Sequence, residues 1–218
     1  MSNISKLIQL DKALLKPYLK YFLIIIFCTV PMMLGYKEIM SSMVFATIMI
    51  SVTSSYTFSV AEKNDLNRLY GLLPVSKKDI VTGRYVFTAL MGLFGILVSV
   101  ILNLIILTIV EVPFTLDEVI LSIGVGMLLY FPFTAIQLPG FFKFGAIKGK
   151  AFSFIPLFGL FFMSSIVKSL SPNSTSNAKL PELLNNPLGM LMIAILLSVV
   201  LYGISIGITQ RIYDKMEL

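Results

Sequence analysis

Six long stretches without a charged side chain constrain this sequence more than any other feature. A helix needs about 20 apolar residues to cross the hydrocarbon core of a membrane, with a range of about 17–25. Four of the stretches meet that length, and the two shorter ones are flanked by lysines whose ammonium groups can reach the headgroups. The six stretches are 21–36, 39–61, 85–110, 119–142, 151–167 and 183–210. They predict six membrane-spanning helices.

The composition agrees with a membrane protein and predicts the fold class. Hydrophobic residues make up 57% of the chain and charged residues 13%, whereas soluble domains have about 45–50% and about 25%. The stretches do not alternate apolar and polar residues as barrel strands do, so helices are favoured. We therefore expect an all-α polytopic membrane protein in which residues 1–218 form a single transmembrane domain.

The distribution of Lys and Arg predicts the orientation of the spans. The segments 1–20, 62–84, 143–150 and 211–218 together hold fourteen basic residues, and the connections on the other side hold three. Basic residues are enriched in short cytoplasmic connections. Both termini are therefore expected in the cytoplasm, and the connection 168–187 is expected outside the cell.

An amphipathic helix is predicted before the first span, over residues 1–19. Apolar residues such as Leu7 recur at helical spacing, while Lys6, Lys12 and Lys16 occupy the other side. Such a helix lies on the inner leaflet. It either contacts a cytoplasmic partner or serves only as a positively charged anchor, and the pattern fits both interpretations.

The residues needed for catalysis are mostly missing. The chain has no histidine, and all eleven acidic residues lie outside the six uncharged stretches, which argues against a proton-driven carrier or an intramembrane protease. The segment 145–151 lacks the first glycine and the Ser or Thr of a phosphate-binding loop. We therefore expect no enzyme activity, no metal site and no cofactor in this chain.

The connection 62–84 carries eight charges but also an apolar stripe at helical intervals. Pro74 is expected to end the helix that bears this stripe, and Ser76 is expected to cap a second helix, with Asp79 three residues further on. A short helix of this kind beside the membrane is either a docking element or a solvated loop.

Two segments carry a resemblance to a known family. The first runs from Glu62-Lys63 through Leu72-Leu73-Pro74-Val75-Ser76-Lys77 to Gly83-Arg84-Tyr85, and the second is Phe142-Lys143-Phe144-Gly145-Ala146-Ile147-Lys148-Gly149-Lys150. They resemble the two cytoplasmic loops of ABC-2 type transporter permease subunits, in the small six-span bacterial subfamily. The order of the segments and of the spans extends the resemblance over essentially the whole chain.

The resemblance implies a function, partners and contact residues. It implies a permease subunit in a bacterial plasma membrane that exports an amphipathic or hydrophobic solute, such as a toxic peptide, antimicrobial or drug. A separate ATPase subunit would bind ATP and magnesium, and a second permease chain would complete the pore, with no role for nucleic acid. The residues implied to contact the ATPase are Glu62, Arg68, Leu69, Tyr70, Leu73, Pro74, Val75, Ser76, Lys77, Lys78, Lys143, Gly145 and Lys148. The alternative is a membrane scaffold or immunity protein that transports nothing.

Hydroxyl side chains in the second span provide a further candidate site. Ser51, Ser55 and Ser59 stack on one face of the predicted helix. They line a translocation path or a subunit seam, or they satisfy carbonyl groups of their own helix.

Overall fold

The protein is helical throughout the part that the structure describes. The computed structural model describes residues 3–16, 27, 29–64, 75–159 and 186–215, and these contain no β-strand. The main elements are α1 (Asn3–Leu15), α2 (Val30–Tyr36), α3 (Ile39–Lys63), α4 (Lys77–Val110), α5 (Leu116–Lys148), a 3₁₀ helix (Gly149–Phe154) and α6 (Pro187–Asp214). The predicted all-α class is confirmed.

Four described segments are long and apolar enough to cross a membrane. They are α3, α4, α5 with its continuation to Gly159, and α6. α3, α4 and α6 each contain one of the predicted stretches or nearly all of it, and the third segment contains the stretch 119–142 and the described start of the stretch 151–167. The first predicted span is described only over its last part, and the fifth only up to Gly159, so the number of six spans stays a prediction.

The second helix expected after Ser76, in the connection 62–84, is the start of a helix that continues into the membrane span. α4 begins at Lys77 and is continuous to Val110, so residues 77–84 belong to a helix and not to a loop. The side chain of Ser76 accepts a hydrogen bond from the backbone N–H of Asp79 at 3.1 Å, which confirms the predicted cap. Residues 77–84 extend α4 beyond the uncharged stretch 85–110, so the charged residues in its first turns do not have to enter the apolar part of the membrane.

The predicted connection 143–150 is a reversal of the chain within helical structure. Gly145 has φ 75° and ψ 177°, which breaks α5. After this break the chain runs back along α5, since the ring of Phe152 lies against Gly140 and the ring of Phe133 lies against Gly159. The described start of the fifth predicted span therefore lies antiparallel to α5.

Two ends of the helix bundle differ in charge. We call one of them the basic end. There α3, α5 and α6 approach their last residues and α4 begins. It contains Lys63, Lys77, Lys78, Lys143 and Lys148. The opposite end contains the α2–α3 turn and the α4–α5 loop. We call it the acidic end because the charged residues that the structure describes there are Lys37, Glu38, Glu111, Asp117 and Glu118.

Buried hydroxyl groups connect α4, α5 and α6. The Tyr85 hydroxyl lies 2.6 Å from Ser205 Oγ, and the Tyr202 hydroxyl lies 2.7 Å from Thr134 Oγ1. Tyr130 donates to the backbone carbonyl of Thr88 at 2.8 Å. Because lipid offers no partners for polar groups, such bonds between helices fix their relative positions.

Candidate functional site

The site at the basic end begins with a carboxylate that joins two helices. Glu62, in the last turn of α3, accepts hydrogen bonds through Oε2 from the backbone N–H of Ala146 at 2.6 Å and of Ile147 at 3.1 Å. These N–H groups follow the break in α5 and have no partner in a preceding helical turn. A carboxylate is well suited to cap them because a helix N-terminus carries a partial positive charge.

Gly145 makes this contact possible. Its φ of 75° with ψ of 177° lies in a backbone region that only glycine adopts without strain. A Cβ atom at this position would lie 3.2 Å from Glu62 Oε2. The glycine therefore allows both the reversal of the chain and the close approach of the carboxylate.

The reversal presents apolar and basic side chains outward. Phe144 is 46% exposed and Ile147 is 73% exposed, and Lys143 and Lys148 on the same segment are also exposed. The Lys143 ammonium lies 5.1 Å from the centroid of the Phe144 ring. Two exposed apolar side chains with a basic rim form a surface suited to a protein partner.

The start of α4 lies beside the end of α6. Lys77 donates from Nζ to the backbone carbonyl of Asp214 at 3.3 Å. Further into the bundle, Gln210 donates to the Thr82 hydroxyl at 3.2 Å. Val75 and Lys77 are half-buried, whereas Ser76 and Lys78 are exposed. Contacts with α6 thus hold the first turns of α4 in place.

A buried ion pair attaches α1 to α4. Arg84 Nε lies 3.2 Å from Asp11 Oδ2, and both side chains are 5% exposed. The Arg84 guanidinium also lies 4.7 Å from the centroid of the Phe58 ring on α3. Burial raises the pKa of the Asp11 carboxyl above its usual 3.8, and the charge of Arg84 opposes that rise. One arginine therefore contacts both α1 and α3.

The predicted contact residues separate into those brought together and those outside the described part. Glu62 and Gly145 meet directly, and Lys143 and Lys148 flank them on the reversal. Val75, Ser76, Lys77 and Lys78 lie at the start of α4. The remaining predicted residues, which fall outside the described residues, are Arg68, Leu69, Tyr70, Leu73 and Pro74.

Sequence reasoning missed several residues of this site. Phe144 and Ile147 were signalled by their position, since they are apolar residues between lysines in a segment expected outside the bilayer. Asp11 was signalled by helical spacing, because it lies four residues after Leu7 on the buried side of α1. Arg84 gave no such signal, since nothing in the sequence shows that its partner is on α1.

The serines of α3 do not share one environment. Ser51 is fully buried, and its hydroxyl lies 3.2 Å from the side-chain oxygen of Gln137 on α5. Ser55 and Ser59 are half-buried, and they donate to the backbone carbonyls of Val52 and Ser55. Bonding within the helix is therefore observed for Ser55 and Ser59 but not for Ser51, and a role of these serines in a translocation path or subunit seam stays a prediction.

Metal ions in proteins are held by groups of His, Cys, Asp or Glu side chains. No three side chains of these types lie together in the described residues. The fold and the basic end together define a polytopic helical membrane protein with a candidate docking surface.

The family follows from comparison of the sequence with known proteins. The sequence profile of the ABC-2 family transporter proteins matches residues 6–214, so the chain belongs to this family and is a membrane transport component. No curated protein and no solved structure matches the chain.

Proposed function

We propose that this chain is the permease subunit of an ATP-driven exporter in a bacterial plasma membrane, and that its basic end faces the cytoplasm and binds a separate ATPase subunit. Membership of the ABC-2 family supports a permease. The excess of Lys and Arg at this end supports its cytoplasmic position.

The observation that carries the proposal is the contact of Glu62 with the reversal at Gly145. It joins the two segments that were separately predicted to contact the ATPase, because Glu62 opens the first segment and Gly145 lies within the second. A displacement of the first segment by a bound ATPase would therefore act on α3 and α5 together. Packed helices that shift as units are a known basis of transport and switching movements.

The exposed side chains on the reversal indicate the chemistry of the partner surface. Exposed apolar residues provide most of the affinity at protein interfaces when a partner buries them, and charges at the rim contribute less. Ile147 and Phe144 are the apolar residues here, with Lys143 and Lys148 beside them. The ATPase surface is accordingly expected to have an apolar groove with an acidic rim.

In this proposal two permease chains form the path, and two ATPase subunits hold ATP and magnesium. Closure of the ATPases would move the docked ends of the helices and open the path outward. The solute is amphipathic or hydrophobic, because the described spans contain apolar and hydroxyl side chains and few charged ones.

The test compares two exposed apolar residues at opposite ends of the molecule. Ile147→Asp changes a 73% exposed residue at the basic end, and Leu116→Asp changes a 78% exposed residue at the acidic end. The first variant is expected to lose co-purification of the ATPase subunit in detergent and solute-stimulated ATP hydrolysis. The second is expected to retain both, since an aspartate in the first turn of α5 is tolerated.

A second variant tests the predicted segment between α3 and α4. Leu69→Asp with Leu73→Asp places charge in a contact that excludes water, and it is expected to release the ATPase as well. If Ile147→Asp and the double variant at Leu69 and Leu73 both still co-purify with the ATPase, the basic end is not the docking surface of the ATPase. ATPase binding without solute movement in the wild type would favour the scaffold function.

A further inference from the structure

One side of α4 carries two buried polar atoms without a hydrogen-bond partner in the described part of the chain, in the half of the helix that leads to the acidic end. Asn103 is 1% exposed and Ser99 is 0% exposed. The Ser42 hydroxyl donates to Asn103 Oδ1 at 2.8 Å, but Asn103 Nδ2 and Ser99 Oγ have no hydrogen-bond partner among the residues that the structure describes. Exchanging the oxygen and nitrogen of the amide would still leave one of its atoms without a partner.

The missing bond of Ser99 is unusual for a hydroxyl in this helix. Thr88, also on α4, donates to the backbone carbonyl of Arg84 one turn back, at 2.8 Å. Ser99 makes no such bond. Its hydroxyl is therefore free to bind another group, and buried polar groups in proteins are nearly always hydrogen-bonded.

The two atoms are spaced to bind one small molecule together. Ser99 and Asn103 are four residues apart on α4, which brings their Cβ atoms within about 5–6 Å on one face. One oxygen atom between them can accept from the amide and bond to the hydroxyl. On α3, the antiparallel register set by Ser42 with Asn103 and by Ile50 with Gly95 places Ala46 at the level of Ser99. Ala46 is fully buried at this level and has no polar side-chain atom to offer Ser99.

An apolar cluster lies between these atoms and the acidic end. Met33, Ile39 and Leu107 are 1%, 6% and 2% exposed and pack together. Leu107 lies one turn beyond Asn103, and Ile39 lies one turn before Ser42. On the other side of this cluster is a cavity of about 290 Å³ whose wall includes Ile39 and Leu107 together with Lys37, Glu38 and Glu118. Because charged residues line that cavity, water can hydrate it.

We propose that Ser99 and Asn103 bind a water molecule inside the helix bundle, and that Met33, Ile39 and Leu107 form an apolar seal between this water and the cavity at the acidic end. Water fits the site because it both donates and accepts hydrogen bonds, which suits a hydroxyl and an amide of either orientation. The site lies at the end opposite the proposed ATPase surface, so it does not depend on the proposed function.

The experiment measures access of a small hydrated ion to a thiol at the site. Ser99→Cys and a matched control, Ser198→Cys, are made in a Cys28→Ala background, which removes the single cysteine of the chain. Ser198 is also a buried serine in a membrane helix, but its hydroxyl donates to the Ala194 carbonyl at 2.6 Å. Each variant is combined with Leu107→Ala, treated with Ag⁺ in chloride-free buffer, and then labelled with a maleimide after denaturation. Ag⁺ binds thiolates tightly and prevents labelling.

We expect Leu107→Ala to accelerate the reaction of Ag⁺ with Ser99→Cys at least tenfold and to leave Ser198→Cys unchanged. If Ser99→Cys reacts as slowly as Ser198→Cys with and without Leu107→Ala, the water site is wrong. A fast reaction with Leu107 intact would overturn the seal. Ile39→Ala replaces Leu107→Ala should the latter fail to yield a monodisperse protein, and the same outcomes apply.

Discussion

The two ends of the helix bundle use charged residues in different ways. At the basic end, Glu62 on α3 contacts α5, and Arg84 on α4 contacts both α1 and α3, so three contacts join these four helices. At the acidic end, the described charged side chains are exposed, and the helices meet through the apolar cluster of Met33, Ile39 and Leu107. The difference indicates that the basic end is held as a unit that can transmit a movement, whereas the acidic end is joined by contacts that can separate without breaking an ion pair.

The largest expected effect concerns which end faces the cytoplasm. Thr115→Cys at the acidic end should be fully labelled by an impermeant maleimide in intact cells, and Ile147→Cys at the basic end should not be labelled, both in a Cys28→Ala background. The reason is the excess of Lys and Arg at the basic end. Permeabilised cells, in which both cysteines should react, provide the control. The reverse pattern would invert the assignment of the two ends.

Removal of the buried arginine should show how strongly α1 is attached to the basic end. Arg84→Ala leaves the Asp11 carboxylate buried without its cation, which costs about 3–5 kcal/mol of unfolding free energy. Thermal unfolding in detergent measures the loss. Lys78→Ala, at an exposed lysine on the same helix, should change stability by less than about 0.5 kcal/mol. Equal stability of the two variants would show that the ion pair does not hold α1.

The pH dependence of the same pair gives a second measurement. Since the folded-state pKa of Asp11 is raised above 3.8, its neutral form favours folding. That contribution is fully present below about 3.8 and is lost as the pH rises through the raised pKa. In Arg84→Ala the pKa should rise further, so the deficit of this variant should shrink on acidification. In Asp11→Asn the buried group left without its partner is the Arg84 guanidinium, which does not titrate, so the deficit of that variant should not shrink on acidification. An equal pH dependence of the two variants would contradict the raised pKa of Asp11.

Substitution of Gly145 at the reversal should lower stability more than substitution of a glycine in a regular helix. Gly145→Ala places a Cβ atom in a backbone conformation reserved for glycine and should cost about 1–3 kcal/mol. Gly203→Ala is the control, because Gly203 lies in α6 with nothing within 4 Å of an added Cβ atom. This second variant should be unchanged or slightly more stable, since alanine is favoured over glycine in helices. Thermal midpoints of the two proteins give the comparison, and equal losses would mean that the reversal tolerates a side chain.

The smallest expected effect is the difference in stability between two glutamate variants. Glu62 caps the helical segment after Gly145, and Glu118 lies in the first turn of α5. Glu62→Gln retains an oxygen acceptor but loses the charge that strengthens its bonds to Ala146 and Ile147, at a cost of about 1 kcal/mol. Glu118→Gln affects an exposed carboxylate that accepts from the backbone N–H of Thr115 at 3.2 Å. It should cost less than about 0.5 kcal/mol. A larger loss for Glu118→Gln than for Glu62→Gln, measured by thermal unfolding, would remove the distinction between the two ends.

Local patterns in the sequence predicted most of the helices and some of their ends. The uncharged stretches located α3 to α6, because lipid excludes charged side chains over the whole width of a span. Ser76 with Asp79 predicted the start of α4, because capping depends on neighbouring residues alone. The segment 143–150, interpreted from the sequence as a loop, contains the chain reversal at Gly145. A single glycine in a sequence does not show that the chain continues as a helix in the opposite direction.

An all-helical membrane protein with one basic side was predictable from the residues alone, because hydrophobic length and charge placement are properties of each segment. Which distant groups meet became known from the packing of the helices. Glu62 reaches Ala146 and Ile147, Asp11 reaches Arg84, and Ser42 bonds to Asn103 while Ser99 has no partner among the described residues. The physical reason is that a buried polar group must find a partner, but the identity of that partner depends on which helices pack together and in what register.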